Sequence, residues 1–381
     1  MQGATQMGKL AKINDLYADP WKFGTELKKD GQRIVGYTCT LVPREITAAA
    51  SFVPFMMRGA IGEPTQTADL HLEPLCCGLC RSIFNLGVEG KYSFLDGIVT
   101  CHACNNMDPM HAFWKYYVNP PFVTTINAPH TITEASLDFY TAEMKNYIRL
   151  LEEFTNSQIS SEAISHYIEL YNTQRSLLRQ LSSMLREEPP LISGSEMTRI
   201  VLASLILPVE QANDLLSGVI EEVKVREDNR PKPGPRLLLW SMYSDNTSLI
   251  ELIEECGANV VISDSCGGWR HYHRNIPSTS DPIQAIAQYY LENIRCSRLY
   301  QEGGTERFQM VKKLADDNGA SAIIAYVLRY CDAQETDMPE FTDYFKGKGM
   351  PVLWLEDDYS LATREAIRTR IQAFLETADL K

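Results

Sequence analysis

Residues 236–263 read Arg236-Leu-Leu-Leu-Trp-Ser-Met-Tyr-Ser-Asp-Asn-Thr-Ser-Leu-Ile-Glu-Leu-Ile-Glu-Glu-Cys-Gly-Ala-Asn-Val-Val-Ile-Ser263. The stretch opens with a short apolar run, continues with apolar residues at helical spacing from Thr247 to Cys256, and closes with a second apolar run from Asn259. Gly257 supplies the helix stop. A strand, a helix and a strand in this order predict two neighbouring parallel strands.

The same alternation extends through the rest of the chain. Further apolar, β-branched runs predict strands at 33–39, 94–100, 122–126, 320–327 and 351–355, and a final helix is predicted from about 361 to 377. The predicted fold class is therefore α/β, with two doubly wound Rossmann-like (flavodoxin-like) domains whose sheets are parallel.

Helical patterns divide the chain into four predicted segments. Residues 1–30 form an N-terminal helical segment, and residues 31–190 form the first α/β domain with a helical extension (helices at 138–154 and 161–186). Connecting helices and a Pro-rich linker occupy 191–234, where one helix is predicted from Ser195 to about Val223 with a kink at Pro208. The second α/β domain covers 235–381.

Composition limits the classes of partner. The 381-residue chain carries a formal net charge of -13, which argues against a nucleic-acid partner, because phosphate binding needs a concentrated basic surface. The apolar stretches are too short for a membrane span and no signal peptide opens the chain. We expect a soluble cytoplasmic protein without a membrane partner.

Ten cysteines make metal or redox chemistry the leading explanation for an intracellular chain of this length. Ligands in parallel sheets bind beyond the carboxyl ends of strands, and several cysteines follow predicted strands: Cys39, Cys101, Cys104, Cys266 and Cys331. Cys76, Cys77 and Cys80 lie where a loop runs into a helix, a position that stabilises a thiolate.

Three other interpretations of the cysteines stay open at this point. The pairs Cys77-x-x-Cys80 and Cys101-x-x-Cys104 have the spacing of a four-cysteine zinc site. A Cys-x-x-Cys pair is also the pattern of a thiol-disulfide site, although neither pair has the expected context. Free cysteines are often plain core residues, which is the simplest interpretation of Cys256.

The chain resembles the smaller subunits of the benzoyl-CoA reductase and 2-hydroxyacyl-CoA dehydratase family. The resemblance is carried by the order and spacing of five segments: Asp15-Leu-Tyr-Ala-Asp-Pro20, Gly36-Tyr-Thr-Cys-Thr-Leu-Val-Pro-Arg-Glu-Ile46, Cys77-Gly-Leu-Cys-Arg-Ser82, Leu95-Asp-Gly97 and Cys331-Asp332. It implies that Cys77, Cys104 and Cys331 bind a four-iron four-sulfur (4Fe-4S) cluster whose fourth iron is open. Here Asn105 follows Cys104 where the family usually has Asp.

The resemblance also implies partners. The family works as a complex of two homologous subunits that act on an acyl-CoA or aromatic-CoA thioester, and a separate ATP-hydrolysing iron-sulfur activator supplies single electrons. ATP is then used by that activator and is not bound by this chain, which has no Gly-x-x-x-x-Gly-Lys-Ser/Thr loop. In one alternative, this chain is a non-catalytic scaffold subunit and its partner subunit alone carries the chemistry.

Within the family, the segments at 16–20 and 43–46 favour the benzoyl-CoA reductase type, and a (R)-2-hydroxyacyl-CoA dehydratase subunit is the alternative. Proton-donor candidates are Glu45 and His102, with His111 nearby. A further branch of the family carries two cubanes bridged by sulfide, and Cys266 and Cys296 lie where some of its extra ligands fall. That branch tends to have Cys-x-Cys where this chain has Cys296-Ser-Arg298.

Overall fold

A computed structural model describes residues 8–228, 230–293, 296–300, 305–360 and 362–378. Its strands are β1 Ile34–Tyr37, β2 Val53–Met56, β3 Gly97–Cys101, β4 Phe122–Ile126, β5 Arg236–Ser241, β6 Asn259–Asp264, β7 Ala322–Leu328 and β8 Val352–Asp357. Its first nine helices are α1 Lys9–Ala18, α2 Pro20–Lys29, α3 Arg44–Ala49, α4 Gly78–Val88, α5 Met110–Phe113, α6 Glu134–Thr155, α7 Ser161–Met184, α8 Gly194–Ser204 and α9 Val209–Lys224. The others are α10 Ser248–Glu255, α11 Pro282–Asn293, α12 Glu306–Asp317, α13 Asp332–Gly347 and α14 Arg364–Thr377.

The strands form two four-stranded parallel sheets with the same strand order. The first sheet is ordered β2-β1-β3-β4 and the second β6-β5-β7-β8, which is the order of a flavodoxin-like doubly wound sheet. Most strand residues are buried, because helices cover both faces of each sheet. The predicted α/β class with two Rossmann-like parallel sheets is confirmed.

Strand β2 was not predicted from the sequence. It is the edge strand of the first sheet and pairs only with β1 among the described residues, with Val53 opposite Ile34 and Pro54 opposite Val35. Proline has no N–H to donate to a ladder, so it is restricted to edge positions and weakens the strand pattern. The four residues of β2 also follow α3 almost directly, so the change from helical to strand periodicity is hard to recognise in the sequence.

The predicted single helix from Ser195 to Val223 is wrong. Ser193 caps α8 through a capping box with Glu196, α8 ends at Ser204, and a new helix, α9, begins after Pro208. Pro208 has no N–H for a helical bond and disfavours helical geometry in the residue before it. The proline therefore separates two helices here and does not merely kink one.

The N-terminal helices lie against the connecting helices. Helix α1 packs on α8 and α9, and the N–H of Leu10 donates to the Glu222 carboxylate at 3.3 Å. Part of the predicted 1–30 segment, residues 1–7, lies outside the described residues. The proposed boundaries near 30, 190 and 234 fall between elements and stay predictions.

The carboxyl ends of the two sheets face each other across one cleft. Beyond β2, the Gly59 N–H donates to the Asp245 carboxylate of the second domain at 2.9 Å, and Met57 O accepts from the Tyr243 hydroxyl at 2.8 Å. The loops in which ligands of doubly wound folds bind are therefore brought together from both halves. None of the described helices combines the length and apolar character that a bilayer crossing requires.

Candidate metal centre

Cys77 is the N-cap residue of α4 and is buried. A hydrogen bond from the Cys80 thiol, together with the N–H groups of Cys80 and Leu79, holds the pKa of the Cys77 thiol below its usual value against the opposing effect of burial. The helix start accounts for these donors, because its first N–H groups have no partner within the helix. Cys77 is thus prepared to carry negative charge.

The loop after β8, in the second domain, packs against the residue that follows Cys77, and it can do so because residue 78 is glycine. A Cβ on Gly78 would come within 2.4 Å of the carbonyl oxygen of Asp358 and 2.7 Å of Cβ of Tyr359. The loop after β8 therefore lies directly on the first turn of α4.

Cys104 and Cys331 lie on the two loops that face Cys77. Burial, helped by the nearby Cys77 thiol and opposed by the Met107 and Asn106 N–H groups, raises the pKa of Cys104 to about 12. Burial also raises the pKa of Cys331, with the thiols of Cys77 and Cys104 acting in the same direction. Each of these thiols therefore lies within electrostatic reach of the other two.

Side-chain amides join the Cys104 loop to the Cys331 loop. Asn106 Nδ2 donates to the carbonyl oxygen of Tyr330 at 2.8 Å, and Asn105 Nδ2 donates to the Asp332 carboxylate at 3.2 Å. Cys331 is the N-cap of α13, and its carbonyl oxygen accepts from the Gln334 N–H at 2.9 Å. The asparagine that departs from the family's usual Asp thus avoids a contact between two carboxylates.

The donor set of Cys77, Cys104 and Cys331 fits an iron-sulfur cluster. All three donors are thiols, each lies near backbone N–H groups whose effect is to lower the thiol pKa, and N–H groups near sulfur are a recognised feature of cluster sites. Among the residues that the structure describes, no three His, Cys, Asp or Glu side chains surround the position of a single ion. A four-iron cluster is larger than one ion, so its thiolates stand farther apart.

The structure divides the four cysteines of the zinc hypothesis between two groups. The Cys80 thiol contacts Cys76 and Cys77, and these contacts raise its pKa. The Cys101 thiol instead contacts Cys39, whose pKa is raised first by that hydrogen bond and then by burial. This arrangement does not favour a zinc ion held by Cys77, Cys80, Cys101 and Cys104.

A second set of thiols, the interdomain thiol group, consists of Cys39, Cys101, Cys266 and Cys296. Burial raises the pKa of Cys266 to about 11, with Arg270 opposing the rise and the thiols of Cys39 and Cys296 adding to it. Cys266 Sγ lies 3.6 Å from the Thr40 hydroxyl of the first domain. A Cβ on the neighbouring Gly267 would come within 1.6 Å of Ser244 O, so this loop requires glycine for its close packing.

Glu45 is fully buried in an ion pair with Arg175 and accepts a hydrogen bond from the Tyr290 hydroxyl at 2.9 Å. Burial raises the pKa of Glu45, but the charges of Arg175 and Arg44 outweigh it and bring the pKa below its usual value. The carboxylate therefore stays ionised and links three elements, α3, α7 and α11. The predicted role as proton donor stays a prediction, and this geometry favours a positioning role.

The two histidine candidates lie together near the Cys104 loop. His102 is half exposed, its Nε2 lies 3.0 Å from the Asp108 carboxylate, and its ring contacts that of His130 at 5.6 Å between centroids. His111 Nδ1 lies 3.2 Å from Asp108 O. Of these, His102 has the solvent access and the carboxylate partner expected of a proton carrier.

The sequence profile of the family described as "2-hydroxyglutaryl-CoA dehydratase, D-component" matches residues 39–378, which include every cysteine discussed above. The chain belongs to this family.

Known relatives match this chain over nearly their full length, at low sequence identity. It is 24% identical to the (R)-phenyllactyl-CoA dehydratase beta subunit of Clostridium sporogenes (96% of this chain, 97% of the relative). It is 24% identical to the beta subunit of the lactoyl-CoA dehydratase of Anaerotignum propionicum (96% and 98%), and 22% identical to a subunit of the benzoyl-CoA reductase of Thauera aromatica (97% and 98%). The predicted family is confirmed, and the relatives' names support an enzyme subunit with a partner subunit.

Three buried arginines near the site were not predicted from the sequence. Arg298 and Arg270 are buried beside the interdomain thiol group, and Arg175 is buried against Glu45. The available signal was the short spacing of Cys266 from Arg270 and of Cys296 from Arg298. Arg175 gave none, because it lies in an ordinary helical pattern.

Proposed function

We propose that this chain is the iron-sulfur subunit of a radical enzyme that acts on a coenzyme A thioester. It works with a homologous second subunit, and an ATP-hydrolysing activator with its own cluster supplies single electrons. Cys77, Cys104 and Cys331 would hold the 4Fe-4S cluster. The main support is that these three thiols come from two domains yet lie within electrostatic reach of one another.

When bound, such a cluster supplies low-potential electrons to the thioester carbonyl. The chain's own residues hold and shield it. The first N–H groups of α4 and α13 lie near the Cys77 and Cys331 sulfurs, the Asn105 and Asn106 amides hold the two loops together, and burial of Cys77 keeps water away. His102, paired with Asp108, delivers the proton that accompanies the electron.

The reaction type we propose is reductive dearomatisation of the benzoyl-CoA reductase type, which the sequence segments at 16–20 and 43–46 favour. The alternative is loss of water from a (R)-2-hydroxyacyl-CoA, and two of the relatives carry dehydratase names. Turnover of benzoyl-CoA and of 2-hydroxyacyl-CoA thioesters by the complex with its activator separates the two.

Anaerobic purification tests the cluster directly. We expect a brown protein with about four irons per chain and a cluster signal in electron paramagnetic resonance (EPR). Cys77→Ser, Cys104→Ser and Cys331→Ser should each lose iron. Cys256→Ser, at the C-terminus of α10, is the matched control and should keep it. A colourless chain with one zinc would reject the proposal, as would unchanged turnover of the Cys331→Ser complex.

A second candidate, the reductase branch with two bridged cubanes, is favoured by one observation. Four further thiols, the interdomain thiol group, converge from both domains and lie near Arg298 and Arg270. This candidate predicts about eight irons per chain, and Cys266→Ser or Cys296→Ser should then remove about half of them. If both variants keep the full wild-type iron, the second cluster is rejected and the single cubane stands.

A further inference from the structure

A small cavity lies inside the first domain, between the sheet and the helices α4 and α5. Thr38 and Thr100 line it from the sheet, Cys80 lines it from α4, and Met110 of α5 and Trp114 directly after α5 line it from the other side. The residues of the lining are all at most 8% exposed. About 10 Å³ of the cavity is open to the centre of a water molecule, and one buried water needs roughly 10 to 15 Å³ by this measure.

Thr38 and Thr100 lie side by side on the sheet. Tyr37 pairs with Val99 in the register of β1 and β3, so Thr38, one residue beyond β1, lies next to Thr100. Ile98, two residues before Thr100 and therefore on the same face of the strand, also lines the cavity. The two threonine side chains thus face the same small space.

Neither of the two hydroxyls has a hydrogen-bond partner in the described part of the chain. A helical threonine can bond to the carbonyl four residues earlier, as Thr198 does to Gly194 O at 2.9 Å, but in a strand that carbonyl is out of reach. A buried hydroxyl without a partner costs stability. Buried cavities that carry polar groups hold ordered water, whereas purely apolar cavities stay dry.

The Cys80 thiol connects this cavity to the predicted cluster ligands. It contacts the thiols of Cys77 and Cys76, yet it has one proton and can donate to only one of them. A water beside Cys80 can donate to its sulfur from the cavity side, which leaves the Cys80 proton for the sulfur of Cys77. Met107, whose N–H donates to Cys104 O at 3.0 Å, also lines the cavity, so the cavity lies behind two of the three ligand loops.

We propose that this cavity binds one water molecule, which is held by the hydroxyls of Thr38 and Thr100 and turns the Cys80 thiol toward the Cys77 sulfur. Thr38 and Thr100 are then positioning residues that act on this sulfur through the water and Cys80. The water site stands on the cavity and the two hydroxyls, whereas its effect on a cluster rests on the proposed function.

A crystal structure of the anaerobically prepared full-length chain, at a resolution that shows ordered waters, tests the site directly. We expect one water at about 2.7 to 2.8 Å from each of the two hydroxyls. A cavity without density for a water would overturn the proposal, as would a direct hydrogen bond between the two hydroxyls in its place.

A double-mutant cycle tests the same site in solution. Thr38→Val and Thr100→Val keep the side-chain shape, and each should lower the melting temperature by about 1 to 2 °C in a chain of this size, because the water and the other hydroxyl lose a partner. The double variant should lose less than the sum of the two single losses, since no hydroxyl is left to satisfy.

Thr124→Val is the matched control. Thr124 is a half-buried threonine of β4 that pairs with Val99 and therefore lies on the opposite face of the sheet from Thr100. This variant should melt like the wild type, and its effect should add to that of Thr100→Val. If the single variants at the cavity melt above the wild type, the hydroxyls face a dry cavity, and if their losses add, they have separate partners; either result overturns the proposal.

The effect on the cluster is measured as its midpoint potential, in a redox titration followed by EPR. A hydrogen bond to a ligand sulfur favours the more negative, reduced cluster. Cys80→Ala should therefore lower the ratio of reduced to oxidised cluster at a fixed potential about fivefold, equivalent to about 40 mV for one electron. Cys80→Ser keeps a donor and should restore most of that ratio.

The threonine double variant should shift the potential in the same direction and should add nothing in the Cys80→Ala background. An unchanged potential in the threonine double variant, or two shifts that add, would overturn the positioning role. If the protein carries no cluster, the crystal structure and the melting temperatures still decide the water site, so failure of the proposed function is distinguishable from failure of this one.

Discussion

The buried pair of Glu45 and Arg175 gives the most quantitative prediction. Both side chains are at most 1% exposed, and Arg44, also buried, lies near the same carboxylate. Glu45→Gln keeps the shape and the hydrogen-bond acceptor but removes the negative charge between two arginines. Removing one partner of a buried pair costs about 3 to 5 kcal/mol.

Thermal unfolding followed by circular dichroism under anaerobic conditions measures the effect. In a chain of this size that cost lowers the melting temperature by roughly 4 to 6 °C. The matched control is Glu153→Gln, which breaks the Arg149–Glu153 pair on the surface of α6, where the side chains are 55% and 60% exposed. Exposed pairs contribute about 0 to 1 kcal/mol, so the control should melt close to the wild type.

The double variant Glu45→Gln with Arg175→Met should melt above Glu45→Gln alone, because it removes one of the two cations left without their carboxylate. The pH dependence has a definite sign. Since the folded-state pKa of Glu45 is lowered, its stabilising effect is present above the unfolded pKa and is lost as pH falls through the folded pKa. The wild type should therefore lose its advantage over Glu45→Gln in acid. The reasoning is refuted if Glu45→Gln melts like the wild type at neutral pH, and a loss of turnover at unchanged melting temperature would restore the predicted proton-donor role.

Contacts across the cleft support three further predictions. Gly78→Ala should destabilise the chain by about 1 to 3 kcal/mol, because the new Cβ would meet Asp358 O, whereas Gly347→Ala, with nothing within 4 Å, should melt like the wild type. Asn106→Ala removes the hydrogen bond to Tyr330 O. Loss of one hydrogen bond should speed iron loss to a chelator roughly fivefold. Asn146→Ala on α6 is the control, and equal rates of iron loss from the two variants would contradict the prediction. Asp245→Asn should gain melting temperature relative to the wild type as the pH rises from the usual carboxyl pKa through the raised folded-state pKa. Burial raises the pKa of Asp245 against the hydrogen bonds of Tyr359 and Gly59, so ionisation of the folded protein costs stability; a difference that is flat with pH would count against it.

The regular elements were predictable where a local signal existed. Apolar runs at 236–240 and 122–126 match β5 and β4 closely, and Gly257, with φ of 91°, follows α10 as the predicted helix stop. The strand-end rule placed Cys104 and Cys331 on loops that meet. Failures came where one residue changed the local geometry, as with Pro54 in β2 and Pro208 between α8 and α9.

The surroundings of the site were not predictable, because long-range contacts create them. Arg175 reaches Glu45 from 130 positions away, and Tyr290 reaches it from 245 positions away. Arg298 likewise lies near two thiols of the first domain, Cys39 and Cys101, and no local pattern around Cys296 predicts that proximity. A single sequence shows which residue types are present at such a site but does not show which charges they neutralise.

The position of Cys331 at the start of α13 bears on how the protein matures. Cys77 and Cys104 are synthesised early, whereas Cys331 follows β7, which pairs with β5 and β8 in the second domain. A cluster bound by all three can be completed only after the carboxyl-terminal half has folded and docked. Iron delivered to a nascent or truncated chain would find two of the three thiols, so metal insertion would act as a check that both halves have been assembled.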